Sequence, residues 1–442
     1  MKVIDLFSGW PNANLLPKSA LSDAFAAVMT APSIRDPALQ YGPDEGYEPL
    51  RHHIAHWLTA YYRPPDPISP ARICITGGAS QNLACLLQVF TDPIYTRNVW
   101  MVAPTYHLAG RIMEDSGFAG RLRAISQNQG ALELEGFRQE LRKVEERARK
   151  EENDQPKSKP SRPWAKIYKH IIYTTPTFSN PSTLTMSLED RENLVRLARE
   201  FDALIISDDV YDFLQWPSDD LQTPLPMNSK ALLPRVVDID RYLDGGPQDE
   251  WGNAVSNGSF SKLIGPGMRT GWAEGTEKLA YGISQTGSTR SGGAPSQFAS
   301  AIIDQLLPSG FLQHYIDQVL RPAYSRRYHR MMLAIHEHLL PLGVTIPFPA
   351  SSVTGGYFIW LELPRSVRAS DLAPAAGQNH GVRVAPGDLF GVQGDPTINP
   401  NEWNRFLRVC FAWESEEKLG EGIRRLGEAI RDLTTPSSPE LV

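Results

Sequence analysis

Two cations stand close together in an apolar, glycine-rich stretch of the chain. Residues 258–272 read GSFSKLIGPGMRTGW, in which Lys262 and Arg269 have no acidic neighbour. A lysine among apolar groups loses hydration, so its amine is easier to keep neutral and nucleophilic. An arginine presents a planar fork of donors that suits a phosphate. The stretch predicts a site for a phosphate or for a carbonyl that is converted into an imine. The plainest alternative is that it binds no ligand.

A glycine-rich turn offers a place for an anion. In ICITGGASQNLACLL (73–87), Gly77, Gly78 and Ala79 let the backbone approach a ligand closely, and Ser80 adds a hydroxyl where a helix is predicted to begin. Free N–H groups at a helix N-terminus favour a negative charge. Taken alone the turn is weak evidence, because it fits neither G-x-G-x-x-G nor the P-loop pattern.

Polar or aromatic residues follow three further apolar runs: Tyr106 in MVAPTYHLAG, Asn180 in TTPTFSNPST, and Asp208 with Tyr211 in IISDDVYDFL. Each has an ordinary explanation. An isolated Tyr is usually core, and acidic pairs at strand ends are usually N-caps, which is a serious alternative for Asp209. Pyridoxal 5'-phosphate would use the whole set, through its phosphate, flat ring, ring nitrogen and carbonyl. The sequence therefore predicts a site for this cofactor, with Lys262 as its Schiff-base partner.

These residues need a scaffold that brings strand ends together. Short β-branched runs that end in polar or Gly/Pro turns predict buried parallel strands. They are RICIT (72–76), NVWMVA (98–103), HIIYTT (170–175) and ALIISDD (203–209). Amphipathic segments lie between them, such as 188–203, for which Ser187 is the expected N-cap. Strand, helix, strand in sequence predicts an α/β sheet with right-handed crossovers.

At 442 residues the chain is long enough for more than one domain. We predict three regions: an N-terminal arm and helix (1–40) that packs with the small domain, a large cofactor-binding domain with a mostly parallel central sheet flanked by helices (41–315), and a smaller C-terminal α+β domain (316–442). The small domain follows a helix-like stretch around 311–340. It contains predicted strands at 355–364 and 406–413 and a helix at 416–433.

The charged segment 138–163, RQELRKVEERARKEENDQPKSKPSRP, interrupts the large domain. Its first half predicts an exposed helix and its second half a Lys/Pro/Ser loop. A charge run of this kind could bind an acidic partner. It is more often a solvated insertion, which is the interpretation adopted here.

The composition excludes several classes of function. A net charge of -6 gives no support for nucleic-acid binding. No run approaches the roughly 20 apolar residues of a membrane helix, and MKVIDLFSGWPN lacks a secretory h-region, so we expect a cytoplasmic protein with no membrane partner. Cys74, Cys85 and Cys410 show no metal-ligand spacing and are interpreted as reduced core residues, with no metal. Asn257-Gly258-Ser259 matches a glycosylation sequon, interpreted as accidental.

In their order along nearly the whole chain, these motifs resemble the fold-type I, pyridoxal-phosphate-dependent aminotransferases of class I/II. The resemblance is greatest to the branch with 2-aminoadipate, kynurenine and aromatic aminotransferases and MocR-like domains. IDLFSGWPNANLLP (4–17) resembles the substrate-side N-terminal segment of that branch. QYGPDEGYEPLR (40–51) is similar to the motif whose tyrosine reaches the partner subunit's phosphate, and FLRVCFAW (406–413) to the strand that binds the substrate carboxylate.

The resemblance implies a role for each residue of the site. Lys262 would be the Schiff-base lysine and proton carrier, Asp208 the partner of the pyridinium nitrogen, and Tyr106 the ring stacked on the pyridine. Asn180 and Tyr211 would donate to the cofactor's phenolic oxygen. Arg408 would bind the substrate α-carboxylate, with Asn180 and Trp10 beside the substrate. The implied phosphate contacts are Gly78, Ala79, Ser80, Ser259, Arg269 and, across a subunit boundary, Tyr41.

We therefore expect an aminotransferase that moves an amino group between an L-amino acid and a 2-oxo acid. Trp10, Tyr106 and Tyr357 favour an aromatic or long aliphatic side chain. Tyr41 and TRSGGAPSQ (289–297) resemble elements that reach a neighbouring subunit, which implies a homodimer with shared active sites.

One departure keeps other reactions open. The family usually has Asn-Pro-Thr-Gly where this chain has Asn180-Pro181-Ser182-Thr183, so the turn near the substrate loses its glycine. An elimination or substitution enzyme, or one like aminocyclopropane-carboxylate synthase, would share the cofactor motifs. A ligand-sensing domain of MocR type is a further alternative. It is disfavoured by the acidic charge and by the start of the fold's own N-terminal segment at about residue 4.

Overall fold

The apolar runs fold into strands and the amphipathic segments between them into helices. The computed structural model describes residues 2–218, 230–290, 295–348, 352–399 and 401–434. The strands are β1 (Ile4–Asp5), β2 (Ile73–Thr76), β3 (Asn98–Val102), β4 (Leu122–Ile125), β5 (Gln127–Asn128), β6 (Ala131–Leu132), β7 (His170–Thr174), β8 (Ala203–Asp208), β9 (Gln215–Pro217), β10 (Ala254–Ser259), β11 (Gly271–Glu274), β12 (Val353–Gly355), β13 (Phe358–Glu362), β14 (Val382–Arg383), β15 (Ala385–Pro386) and β16 (Phe406–Cys410).

The helices lie mostly between strands, as an α/β chain requires. They are α1 (Lys18–Thr30), α2 (Pro32–Ala38), α3 (Glu48–Tyr62), α4 (Ala79–Phe90), α5 (His107–Met113), α6 (Leu134–Lys150), α7 (Leu188–Glu200), α8 (Val236–Tyr242), α9 (Glu277–Ser284), α10 (Gly287–Arg290), α11 (Gln297–Asp304), α12 (Phe311–Tyr315), α13 (Arg321–His338), α14 (Ala369–His380) and α15 (Glu416–Thr434). Among the described residues, no helix is both long and apolar enough to cross a bilayer.

A seven-stranded sheet of order β2-β11-β10-β8-β7-β3-β4 forms the centre of the molecule. Its neighbouring strands pair in parallel except at β11, which runs antiparallel to both β10 and β2. Helices cover both faces. Val99 and Met101 of β3 pack with α4 and α9, whereas Trp100 and Val102 pack with α6 and α7. The predicted α/β class with a mostly parallel central sheet is confirmed.

The local predictions hold where the pattern was strong. The four predicted strands form as β2, β3, β7 and β8, and the Ser187 hydroxyl caps α7 by accepting from the Asp190 N–H. Of these, β3, β7 and β8 pair in parallel as predicted, whereas β2, at the edge of the sheet, pairs antiparallel with β11. The run predicted as one strand at 355–364 is instead split between β12 and β13. Gly356 between them has a φ of +73°, a left-handed conformation that turns the chain.

A smaller antiparallel sheet of order β13-β16-β15 lies towards the end of the chain, with α14 and α15 nearby. The N-terminal arm joins this region, because β1 pairs in parallel with β14 through Ile4 opposite Val382. The division into domains at residues 40 and 315 stays a prediction.

The charged segment 138–163 is anchored to the rest of the molecule. Its first half forms the predicted helix, which is exposed on one face and buried on the other. The helix, α6, begins at Leu134 and buries Phe137, Leu141 and Ala148. The loop that follows is held by Asp92, whose Oδ2 accepts the N–H groups of Ser158 and Lys159, each at 2.7 Å. The many charges of the segment conceal an apolar stripe at helical spacing.

Candidate active site

The predicted site residues meet at one edge of the central sheet. The carboxyl ends of β2, β3, β7, β8 and β10 lie there, and the antiparallel β11 begins there. Ligands of open α/β sheets bind at this edge, outside the carboxyl ends of parallel strands. It carries Gly78, Ala79, Ser80, Tyr106, Asn180, Asp208, Tyr211, Ser259, Lys262 and Arg269.

Lys262 ends a short 3-10 turn that directly follows β10. Its Nζ donates to the Gly9 carbonyl at 2.8 Å and lies 5.1 Å from the centre of the Tyr357 ring. Burial, with the positive charge of Arg408 adding to it, lowers the pKa of Lys262 to about 8. A substantial fraction of this amine is therefore neutral near pH 8, which a nucleophile and proton acceptor requires.

Asp208 is the last residue of β8, and its two carboxylate oxygens differ. Oδ2 accepts the Tyr173 hydroxyl at 2.7 Å, whereas Oδ1 is buried and receives no hydrogen bond from the described residues. Burial, reinforced by the charge of Asp209, raises the pKa of Asp208 to about 7, against the Tyr173 bond and the charge of Lys262. A cationic N–H donor at Oδ1 would keep Asp208 ionised.

Asp209 is already satisfied. It accepts the Ser207 hydroxyl at 2.5 Å and also the Ser256 hydroxyl. Burial, followed by the charge of Asp212, raises the pKa of Asp209 to about 7. Of the two neighbouring carboxylates, only Asp208 has a free oxygen for a ligand, and the N-cap explanation for Asp209 does not apply because no helix starts there.

The glycine-rich turn forms an open cradle at the start of α4. Gly78 has a φ of +92° and occupies the N-cap position without a side-chain cap from the described residues. A Cβ at Gly78 would lie 2.7 Å from the Arg269 Nη2, which itself donates to the Gly77 carbonyl at 2.6 Å. The uncapped N–H groups and the guanidinium suit a phosphate.

Two buried asparagines fix this cradle to the strand that leads to Lys262. The Asn82 Nδ2 donates to the Asn257 Oδ1 at 2.9 Å, and the Asn257 Nδ2 donates to the Ala79 carbonyl at 3.0 Å. Ser259, at the end of the same strand, is buried, and its hydroxyl bonds to that of Ser261 at 2.9 Å.

Arg408 reaches this edge from the smaller sheet. It is 3% exposed, and its guanidinium donates to the Asn180 Oδ1 at 2.8 Å and to the Phe7 carbonyl at 2.5 Å. The Phe358 ring lies 4.0 Å from its central carbon. Its Nε finds no acceptor among the described residues. A buried guanidinium that the described residues hold through neutral groups alone is prepared to receive a carboxylate.

The aromatic residues predicted for the site differ in their burial and in their distance from its charged groups. Tyr106 lies close enough to Asp208 that burial and the carboxylate raise the pKa of its phenol to about 12. Tyr211 is buried, with its ring centre 5.8 Å from the Lys262 Nζ. Trp10 is 57% exposed and meets Trp413 edge-on at 5.2 Å.

Tyr41 is 85% exposed, so a single chain does not bury it against the site. Residues 291–294 of the predicted inter-subunit loop lie outside the described residues.

Sequence reasoning missed three contacts of this site. They are the Tyr173 hydroxyl on Asp208 and the carbonyls of Phe7 and Gly9 on the two cations. Every residue has a backbone carbonyl, so the sequence does not indicate which of them bonds to a cation. The sequence does carry a signal for Tyr173, because it pairs in register with Ile206, two residues before Asp208 and on the same face of the sheet.

Comparison with known proteins agrees with this geometry. The chain matches the family model "Aminotransferase class I and II" over residues 12–426 and belongs to that family. It is 34% identical to an uncharacterized protein of Saccharomyces cerevisiae over 97% of each chain. It is 27% identical to aromatic-amino-acid aminotransferase 1 of Thermococcus litoralis, over 97% of this chain and 88% of that one. A solved kynurenine aminotransferase of Pyrococcus horikoshii, in complex with PMP, superposes with a TM-score of 0.78 at 25% identity, covering 98% and 92%.

The protein is a pyridoxal 5'-phosphate-dependent aminotransferase, acting on amino acids and 2-oxo acids. Its residues fit that cofactor. The open Oδ1 of Asp208 suits a protonated ring nitrogen, the uncapped start of α4 suits the phosphate, and the Lys262 amine suits the aldehyde. Among the described residues, no group of His, Cys, Asp and Glu side chains could hold a metal ion.

Proposed function

We propose that this edge of the sheet transfers an amino group from an L-amino acid with an aromatic or long aliphatic side chain to a 2-oxo acid. The observation that carries the proposal is a pair of unsatisfied buried atoms near Lys262. Asp208 Oδ1 lacks a donor and Arg408 Nε lacks an acceptor among the described residues. Asp208 Oδ1 suits the nitrogen of the cofactor ring, and Arg408 Nε suits the carboxylate of the substrate.

Lys262 and Arg408 carry the substrate steps. Arg408 holds the α-carboxylate, with the Asn180 amide fixing the guanidinium. Once released from the cofactor, the Lys262 amine takes the α-proton and returns it on the cofactor side. The cofactor supplies an electron-withdrawing ring that stabilises the carbanion formed at the substrate α-carbon. Such proton transfer by a positioned side chain contributes roughly 10²–10⁴-fold in rate.

The other residues hold the ring in place. When the cofactor is bound, Asp208 would keep the ring nitrogen protonated, Tyr106 would lie against the ring face, and Asn180 and Tyr211 would donate to the phenolic oxygen. The phosphate would be held by the set around the start of α4: Gly78, Ala79, Ser80, Ser259 and Arg269.

The preference for an aromatic or long aliphatic side chain is supported by the rings beside Arg408 and Lys262. Phe358 and Phe390 lie 4.0 Å and 4.8 Å from the Arg408 guanidinium, and Trp10 contacts Trp413. A large apolar side chain gains most from such surroundings. A relative that acts on aromatic amino acids supports the same preference.

A single-turnover experiment tests the reaction type. Holoenzyme is mixed with phenylalanine, tyrosine, kynurenine, leucine, 2-aminoadipate or alanine, and the cofactor is followed by absorbance while products are identified by mass spectrometry. We expect conversion to pyridoxamine 5'-phosphate with the aromatic and long aliphatic donors, reversed by 2-oxoglutarate or pyruvate. O-acetylserine is added as a donor whose acetate can leave from the β-carbon, and release of acetate without any pyridoxamine form would assign elimination or substitution instead. Binding without turnover of any donor would assign a ligand-sensing role.

We further propose a homodimer with shared sites, active in the cytoplasm. The exposed Tyr41 ring supports the dimer, because it would complete a phosphate site on a second copy. The buried free thiols of Cys74, Cys85 and Cys410 are compatible with a reducing compartment. Sedimentation should show a dimer, and Tyr41→Phe should weaken cofactor binding. A fully active monomer would refute the shared site.

A further inference from the structure

We propose that Tyr173 is a positioning residue that holds Asp208 in the one orientation able to face the cofactor ring. The inference rests on the proposed role of Asp208 and adds a residue to it. Tyr173 acts through Asp208 and touches neither cofactor nor substrate in this role.

The geometry rests on a short bond between two buried groups. The Tyr173 hydroxyl donates to the Asp208 Oδ2 at 2.7 Å, and the side chains are 1% and 8% exposed. With Oδ2 engaged, the carboxylate cannot rotate freely, and Oδ1 is left as the open oxygen. Tyr173 is on β7 and Asp208 on β8, so the bond spans two paired strands.

Tyr173 is the main hydrogen-bond donor to Asp208 among the groups that face it. The other titratable groups that face it are Tyr106 after β3, Asp209 directly after β8, Tyr211 and Lys262. Asp209 disfavours the charged form by repulsion, and Lys262 favours it without a direct bond. Removing the Tyr173 hydroxyl would leave a buried carboxylate with no hydrogen-bond donor from the described residues on either oxygen.

The burial of Asp208 determines whether the stability of the fold rises or falls with pH. Burial raises the pKa of Asp208 to about 7 from 3.8, so between these values the folded state binds more protons than the unfolded state. Stability therefore falls as pH rises through that window. Losing the Tyr173 donor raises the pKa of Asp208 further, which extends the fall above pH 7.

The test compares Tyr173→Phe with Tyr168→Phe in the full chain. Tyr168 is a matched control, since it is fully buried beside the same sheet and its hydroxyl donates to the Gly252 carbonyl at 2.6 Å. Melting temperatures of the cofactor-free protein are measured from pH 5 to 9, and the dissociation constant of pyridoxal 5'-phosphate is measured by titration.

Tyr173→Phe should lower the melting temperature more at pH 8–9 than at pH 6 and should weaken cofactor binding roughly tenfold, as expected for a lost hydrogen bond to a charged group. Tyr168→Phe should lower the melting temperature equally at every pH and leave cofactor binding unchanged. In an Asp208→Asn background, the effect of Tyr173→Phe should lose its pH dependence.

Two outcomes separate this inference from the proposed function. If Asp208→Asn leaves cofactor affinity unchanged, the role of Asp208 fails, and that of Tyr173 with it. If Asp208→Asn weakens binding but Tyr173→Phe behaves like Tyr168→Phe, only the Tyr173 inference is overturned.

Discussion

Two groups of buried charges lie along the same sheet, and they differ in what neutralises them. The first, here called the paired cluster, consists of Arg235, Asp238, Glu274 and Arg72. Arg235 is 1% exposed and lies 2.6 Å from Glu274 and 2.9 Å from Asp238. Arg72 approaches the other oxygen of Glu274 at 3.5 Å. Each charge in the paired cluster has an opposite charge from the chain itself.

The second, the open cluster, consists of Lys262, Asp208 and Arg408. Its cations donate to carbonyls and an amide, and within the described residues neither forms an ion pair with a carboxylate. Its carboxylate accepts one hydroxyl. A buried charge is costly unless it is paired. The open cluster therefore costs the cofactor-free protein stability until a ligand supplies the opposite charges.

The comparison separates stability from function. The paired cluster closes the end of β11 remote from the site, where no ligand is needed. The open cluster holds buried charges that the described residues do not join in ion pairs, at the place where the chemistry occurs. Substitutions in the first should therefore change unfolding, and substitutions in the second should change binding and turnover.

The largest effect should come from Lys262→Ala, which removes the only group proposed to bind the cofactor covalently and to carry the proton. Turnover should be abolished. Borohydride reduction of the native protein, followed by peptide mapping, should label Lys262 and leave the variant unlabelled. The exposed Lys278→Ala serves as control. A labelled peptide with any other lysine would refute the assignment.

Glu274→Gln should act on the fold alone. Breaking a buried ion pair by removing one partner costs about 3–5 kcal/mol, because Arg235 is left insufficiently neutralised. Denaturant titration should show that loss, whereas Glu250→Gln, in an exposed pair with Lys278, should cost under about 1 kcal/mol. Turnover per folded molecule should be unchanged in both. A loss of turnover without a loss of stability would contradict the comparison.

Asp208→Asn should retain the cofactor through its phosphate, with weaker affinity, while turnover falls on the order of 10²–10³-fold. The estimate follows from removing one partner of a buried charged pair, here the pyridinium. Asp209→Asn should change turnover much less, since its oxygens face Ser207 and Ser256. Steady-state kinetics at saturating cofactor measures both. The reverse order would place the functional carboxylate one residue later.

Arg408→Gln should have the smallest effect, about 1.5–3 kcal/mol in kcat/KM, because a charged hydrogen-bonded contact to the substrate carboxylate is lost. KM and kcat should both worsen, since orientation is lost with binding. The cofactor-free variant should melt no lower than the native protein, because an incompletely satisfied cation has been removed. The exposed Arg196→Gln controls for a general loss of charge. A large loss of stability would show that Arg408, like the charges of the paired cluster, stabilises the fold.

The sequence predicts the open cluster better than the paired one, for a physical reason. Asp208 ends β8 and Lys262 comes shortly after β10. These two strands pair in parallel, and parallel strands bring their carboxyl ends to one edge, so local motifs suffice to place Asp208 and Lys262 together. The paired cluster has no such motif. Arg235 and Glu274 belong to elements whose contact depends on helix packing and on the reversed direction of β11.

Other details depend on long-range contacts that sequence patterns do not carry. The Lys262 amine bonds to a carbonyl 253 residues away, and Arg408 to one 401 residues away. The choice between Asp208 and Asp209 depends on which face each side chain takes, and hence on strand register. The apolar stripe of α6 was obscured by its charges, although its spacing is visible in the sequence.

Asn257 has a consequence for how the protein can be produced. It is the acceptor position of the Asn257-Gly258-Ser259 sequon, yet it lies on β10, 1% exposed and bonded to Asn82 and Ala79. A glycan is bulky and belongs on a surface, and no space exists for one between α4 and the sheet. A host that routes the chain through its secretory apparatus would offer this asparagine for glycosylation before the sheet closes. The modified chain could not then form the cradle, so expression by secretion should yield inactive glycoprotein.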